Sequence, residues 1–134
     1  MKKLTLLVLL MIVGIATYSQ QTWSFTTSAG AVMIGKNSTS PTEKDWKELT
    51  CKIIISDEYI SFDYFDGDDP IVWKILKYST EDNIVTYLLQ KPEGGTVVLK
   101  LLVTSNNDVL MRCIISESTN IWYITESKYV HRIY

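Results

Sequence analysis

Residues 96–116 read TVVLKLLVTSNNDVLMRCIIS, and the fold follows from how this stretch divides. Val97, Leu99, Leu101 and Val103 alternate with Thr96, Lys100 and Thr104. After Ser105-Asn106-Asn107-Asp108 the alternation resumes, with Val109, Met111, Cys113 and Ile115 set against Arg112 and Ser116. A period of two over eight residues places one row of side chains on each face of a strand, and Asn, Asp and Ser supply the turn between strands. The stretch is therefore predicted to be two antiparallel strands with one apolar face.

The same grammar extends in both directions. Runs rich in Val, Ile, Tyr, Trp and Thr occur at 22–27, 31–35, 49–56, 59–65, 71–78, 84–90, 96–104, 109–116 and 120–125, with a further candidate at 129–134 that reads equally as a loose tail. Turn chemistry separates them: Ser56-Asp57-Glu58, Asp66-Gly67-Asp68-Asp69-Pro70, Ser79 to Asn83, Pro92-Glu93-Gly94-Gly95 and Glu117-Ser118-Thr119. Leu49, Cys51, Ile53 and Ile55 share one face, as do Ile60, Phe62 and Tyr64. The runs 71–78 and 84–90 are apolar on both faces, which predicts cover by a helix or contact with a partner. This spacing predicts an all-β domain, an antiparallel up-and-down meander. Closing such a sheet removes its unpaired edges, so the expectation is a small barrel of 8–10 strands, with an open curved sheet as the alternative.

One short helix is predicted near residues 41–48. Ser40 stands at the N-cap, Pro41 at the first helical position and Glu43 at the third, and Trp46 would anchor two turns against the sheet.

The first 19 residues have a different character. Lys2 and Lys3 precede an apolar run from Leu4 to Ala16, followed by the small and polar residues Thr17-Tyr18-Ser19. That is the three-part pattern of a bacterial secretory signal peptide, too short in its apolar part to span a bilayer. Residues 1–19 are thus expected to be removed and 20–134 to form a single secreted or periplasmic domain. No later run is long and apolar enough to span a membrane. Loss of Lys2 and Lys3 leaves 11 of the 13 basic residues against 15 acidic ones, a net charge of −4. That acidic balance argues against nucleic acid, whose phosphates need a basic surface. In an oxidising compartment the two cysteines, Cys51 and Cys113, are candidates for a disulfide, with two buried free thiols as the alternative.

Candidates for chemistry are few. Asp63, Asp66, Asp68 and Asp69 cluster around Gly67. Asp66, Asp68 and Asp69 would supply part of a calcium shell, but Lys74 stands where an EF-hand needs a carboxylate, and Asp-Gly before Pro70 is ordinary turn chemistry. His131 is the single histidine and lies near the end of the chain, without a nucleophile elbow. No cofactor is implied. The aromatic content is high: Trp23, Trp46, Trp73 and Trp122, with Tyr59, Tyr64, Tyr78, Tyr87 and Tyr123, would floor a ligand groove or fill a core.

The order of elements resembles the calycin group, the lipocalins and fatty-acid-binding proteins: Trp23 in the first strand, a helical segment at 41–48, then a meander. Gln21 stands where the lipocalin signature has glycine. Arg132-Ile133-Tyr134 has the Arg-x-Tyr form with which fatty-acid-binding proteins grip a carboxylate. The resemblance implies that Arg132 and Tyr134 would grip a ligand carboxylate, and with the aromatic floor of Trp23, Trp46, Trp73 and Trp122 they make up the candidate ligand-binding residues. The resulting expectation is a secreted, non-enzymatic β-barrel that holds a small apolar ligand or docks a partner protein. The alternatives are a structural or interaction module with a solid core and no ligand, and a small hydrolase or isomerase.

Overall fold

The computed structural model describes residues 22–35 and 40–133. The expected signal peptide and Tyr134 lie outside these residues. The strands are β1 (Trp23–Thr26), β2 (Ala29–Ile34), β3 (Lys47–Glu48), β4 (Lys52–Ile55), β5 (Tyr59–Asp63), β6 (Ile71–Glu81), β7 (Ile84–Gln90), β8 (Thr96–Val103), β9 (Val109–Ser116), β10 (Thr119–Thr125) and β11 (Val130–Arg132). They form one antiparallel sheet in the order β11-β1-β4-β5-β6-β7-β8-β9-β10-β2-β3. From β4 to β10 spatial order is sequence order, which is the meander read from the turns. The tail is settled as a strand: a 3-10 turn at Ser127–Tyr129 leads into β11, which pairs with β1.

Two expectations are corrected. Residues 41–48 hold no helix. The Asp45 carboxylate accepts from the Thr42 N–H at 2.7 Å and from the Thr42 hydroxyl at 3.0 Å, making a tight turn, and Lys47 and Glu48 then pair with Gly30 and Ala29. A two-turn helix has little stability of its own, so ladder bonds to β2 outcompete it. The barrel is also not closed. The hydrogen-bonded order ends at β11 on one side and β3 on the other, edges of three and two residues, too short to template much further pairing.

The sheet is nonetheless strongly curled. β5 and β10 are five strand spacings apart, about 24 Å on a flat sheet. Yet the rings of Phe62 on β5 and Tyr123 on β10 stack with centroids 6.0 Å apart. The segment 23–34 completes the curl. β1 pairs with β4, at one end of the meander, and β2 pairs with β10, at the other. The handover takes two residues: the Thr27 N–H bonds Cys51 O at 2.9 Å, and the Ser28 N–H bonds Ile124 O at 2.9 Å. Thr27 is buried and ties the corner twice more, its hydroxyl donating to Leu49 O and accepting from the Cys51 N–H, both at 2.8 Å.

The alternation seen in the sequence decides what fills the concave side. Cys51, Ile53, Ile55, Ile60, Phe62, Val97, Leu99, Leu101, Val103, Val109, Met111 and Cys113 are all buried, joined by Phe25, Val85, Tyr87 and Leu89. Each fully buried Leu, Ile or Phe stabilises the fold by about 1.5–3 kcal/mol relative to exposure. Side chains lining an internal cavity would expose surface to it. Phe25, Ile53, Ile55, Ile60, Val85, Leu89, Leu99, Leu101, Val109 and Met111 all stand at 0% exposure.

Candidate functional site

Among the described residues, the expected ligand-binding side chains do not converge, and Tyr134 lies outside them. Cross-strand register sets Arg132, Trp23, Ile55, Ile60 and Trp73 in one row across β11, β1, β4, β5 and β6. Trp23 is buried there, and Trp73 meets Phe62 edge-on at 5.2 Å. Arg132 is exposed at the outer end of the row. In that row the buried Ile55 and Ile60 stand between the two tryptophans. Trp46 lies half-buried just before β3. Trp122 faces the opposite way. Its cross-strand partner is Arg112, while its neighbour Tyr123 points into the core.

The polar centre of the interior is a cluster that alternation alone did not single out. The hydroxyls of Tyr64 and Tyr123 hydrogen-bond across the concavity at 2.5 Å. Both cysteine side chains face this pair, and the Cys51 thiol is within hydrogen-bonding reach of Tyr64. Burial pushes the Tyr64 hydroxyl up to about 12 and raises Tyr123 further. Burial also pushes both thiols up to about 12. The expected bridge is absent: Cys51 and Cys113 are both free thiols inside the core. A thiol held protonated at neutral pH is a poor nucleophile. Facing apolar positions on β4 and β9 could be read from the sequence; that Tyr64 and Tyr123 would stand beside them depends on the curl.

On the convex side, Lys100, Arg112 and Trp122 lie in one cross-strand row over β8, β9 and β10. The Arg112 guanidinium carbon is 5.1 Å from the Trp122 ring centroid, and its Nε donates to Asn120 Oδ1 at 2.7 Å. With Ile84, Leu102 and Leu110 these side chains outline a shallow hollow of about 200 Å³. A second convex hollow, about 370 Å³, lies among Tyr59, Val72, Lys74, Gln90 and the Lys91–Gly94 turn. The apolar residues of β6 that the absent helix was expected to cover remain open: Ile71, Val72, Leu76 and Tyr78 are each more than 40% exposed.

The aspartate-rich loop serves its own backbone. Asp63 Oδ1 accepts from the Phe65 N–H at 2.9 Å, and Asp66 Oδ1 from the Asp68 N–H at 3.1 Å. Phe65 and Gly67 take the positive φ values, 56° and 88°, that turn the chain back toward β6. No three His, Cys, Asp or Glu side chains among the described residues, Asp66, Asp68 and Asp69 included, group so as to hold a metal ion. His131 is exposed on β11, opposite Ser24. Asp108 has its carboxyl raised, first by burial and then by the nearby Glu126, but Glu126 is itself paired with Lys128 at 3.2 Å.

No family model matches this chain, and neither a curated protein nor a solved structure is similar to it.

Proposed function

We propose that this chain is an exported, non-enzymatic structural or interaction module of the periplasm or cell surface, working from its outer surface around a solid core. The observation that carries this reading is the packed interior. A calycin-like binder needs a cavity of about 300 Å³ or more, and here Ile55 and Ile60, in the row between Trp23 and Trp73, are both at 0% exposure. Strand β6, by contrast, presents exposed apolar residues, Ile71, Val72, Leu76 and Tyr78, beside Lys74 and Lys77. Residues 1–19 would direct export, and the processed chain would begin at Gln20.

Native mass spectrometry of the protein purified from its own host tests the reading. The expected mass is that of the bare processed polypeptide. A stoichiometric lipid or other small apolar molecule, retained and lost on Arg132→Ala, would replace this reading with that of a carrier.

A further inference from the structure

β6 runs beyond its neighbour. Ile71–Lys74 pair with β5, and the Ile75 N–H still reaches Glu58 O at 2.8 Å. A bulge follows between Ile75 and Lys77, the kind of irregularity that bends a strand away from its partner. Leu76 is the residue the β6–β7 register skips, and from Lys77 to Glu81, among the described residues, β6 is paired only to β7. All six of these residues are exposed. An edge of this length with Leu76 and Tyr78 on it is a template for another strand.

The groups offered along that edge follow from the hairpin. Asp82-Asn83 is a two-residue turn between Glu81 and Ile84. Such a turn closes on a hydrogen-bonded pair, and the antiparallel ladder then alternates. Glu81, Ser79 and Lys77 therefore direct their N–H and C=O toward β7. Thr80 and Tyr78 direct theirs to the open side. Side chains alternate with the same period. Tyr78 lies opposite the buried Tyr87, which places Lys77, Ser79 and Glu81 on the convex face.

We propose that this edge pairs with the same edge of a second copy of the chain, antiparallel, about a two-fold axis at Ser79. The backbones of Tyr78 and Thr80 then hydrogen-bond across the axis, and Lys77 of each copy faces Glu81 of the other. A two-fold pairing must match open-side residues with open-side residues, which allows axes at Tyr78, Ser79 or Thr80. An axis at Tyr78 sets Lys77 opposite Ser79. One at Thr80 sets Lys77 opposite Asn83. Only the axis at Ser79 opposes both cations to both carboxylates, and opposite charges directly across a strand pair are stabilising. The self-complementary charge order identifies a second copy as the occupant, rather than an unrelated strand. A joined edge of this length buries less than the ~1,200 Å² of a standard stable complex, so the dimer is weak and concentration-dependent. The inference rests on the interaction-module reading. Retained ligand tests that reading and assembly tests this one, so each can fail alone.

Ser79→Cys is the direct test. Directly opposed residues at a non-hydrogen-bonded site have Cα atoms about 4.5 Å apart, within disulfide range. Under mild oxidation the purified Ser79→Cys protein should become a covalent dimer at least tenfold faster than Thr86→Cys, which lies one strand away on the same face. Equal rates would overturn the proposal. By sedimentation equilibrium, Lys77→Glu should weaken the wild-type dimer about tenfold, since two pairs are reversed together. Adding Glu81→Lys should restore it, and failure to restore would overturn the register. Thr80→Pro removes a donor that points to the open side and spares those that bond β7. It should abolish association with an unchanged circular dichroism spectrum. A wild-type protein that stays monomeric at ~300 μM refutes the pairing outright.

Discussion

The hydroxyl pair Tyr64–Tyr123 offers a measurement of the curl itself. Tyr64 follows β5 and Tyr123 lies on β10, and the hydrogen bond between them spans a separation of 59 residues in sequence. Tyr64→Phe leaves the Tyr123 hydroxyl in the core with no tyrosine opposite it, and Tyr123 is only 2% exposed. Stranding a buried polar group costs about 1–3 kcal/mol, whereas removing both partners together is nearly neutral. Tyr123→Phe should cost less than Tyr64→Phe, because the Cys51 thiol remains as a weak partner for Tyr64. The double variant Tyr64→Phe/Tyr123→Phe should then be no less stable than Tyr64→Phe, a coupling of about 1–2 kcal/mol. Urea unfolding followed by tryptophan fluorescence reads this directly. With a slope of about 1.5 kcal/mol per molar urea, a 2 kcal/mol loss moves the midpoint by about 1.3 M. Additive single-variant effects would refute the reasoning, since residues about 24 Å apart on a flat sheet do not couple.

Thr27→Val keeps the shape of the corner but leaves the Cys51 N–H and Leu49 O without their 2.8 Å partner; a loss of about 2–4 kcal/mol in urea is expected. Both thiols should be silent to a thiol reagent in the native protein and should react as two equivalents in urea without reductant, because Cys51 and Cys113 are free and buried. Burial favours the neutral thiol in the folded state, so the unfolded chain loses protons first as pH rises. Stability should therefore be level below about pH 8.5 and fall between about pH 9 and 12, by up to about 1.4 kcal/mol per unit for each thiol; urea midpoints at pH 8 and pH 10 check the sign. Leu99→Ala, at a site with no exposure on central strand β8, should cost about 2–5 kcal/mol.

What could be read in advance was whatever short-range alternation controls. The faces of β4, β5, β8 and β9, the aspartate-rich turn and the meander all rest on period two and on turn residues, and they stand as read. The helix at 41–48 failed because Ser40, Pro41 and Glu43 carry real capping chemistry, while the competing ladder to β2 is a long-range contact invisible locally. Barrel closure failed for a related reason. Alternation specifies which face is buried, and says nothing of whether the last edge meets the first. The expected ligand set pooled tryptophans by type, and their faces differ. Trp122 and Tyr123 are adjacent and face opposite ways, so neither composition nor resemblance could assign them to one pocket.

The bent segment 23–34 has a kinetic consequence. It joins the two ends of the sheet, and its bond from Ser28 to Ile124 spans 96 residues of chain. High contact order of this kind slows folding, and here it also orders events in time. While the C-terminal strands are still being made, or are still being threaded in the export proposed above, β2 lacks its β10 partner and the curl has no seam. The polypeptide would then stay pliable and lock only when its C-terminal strands arrive.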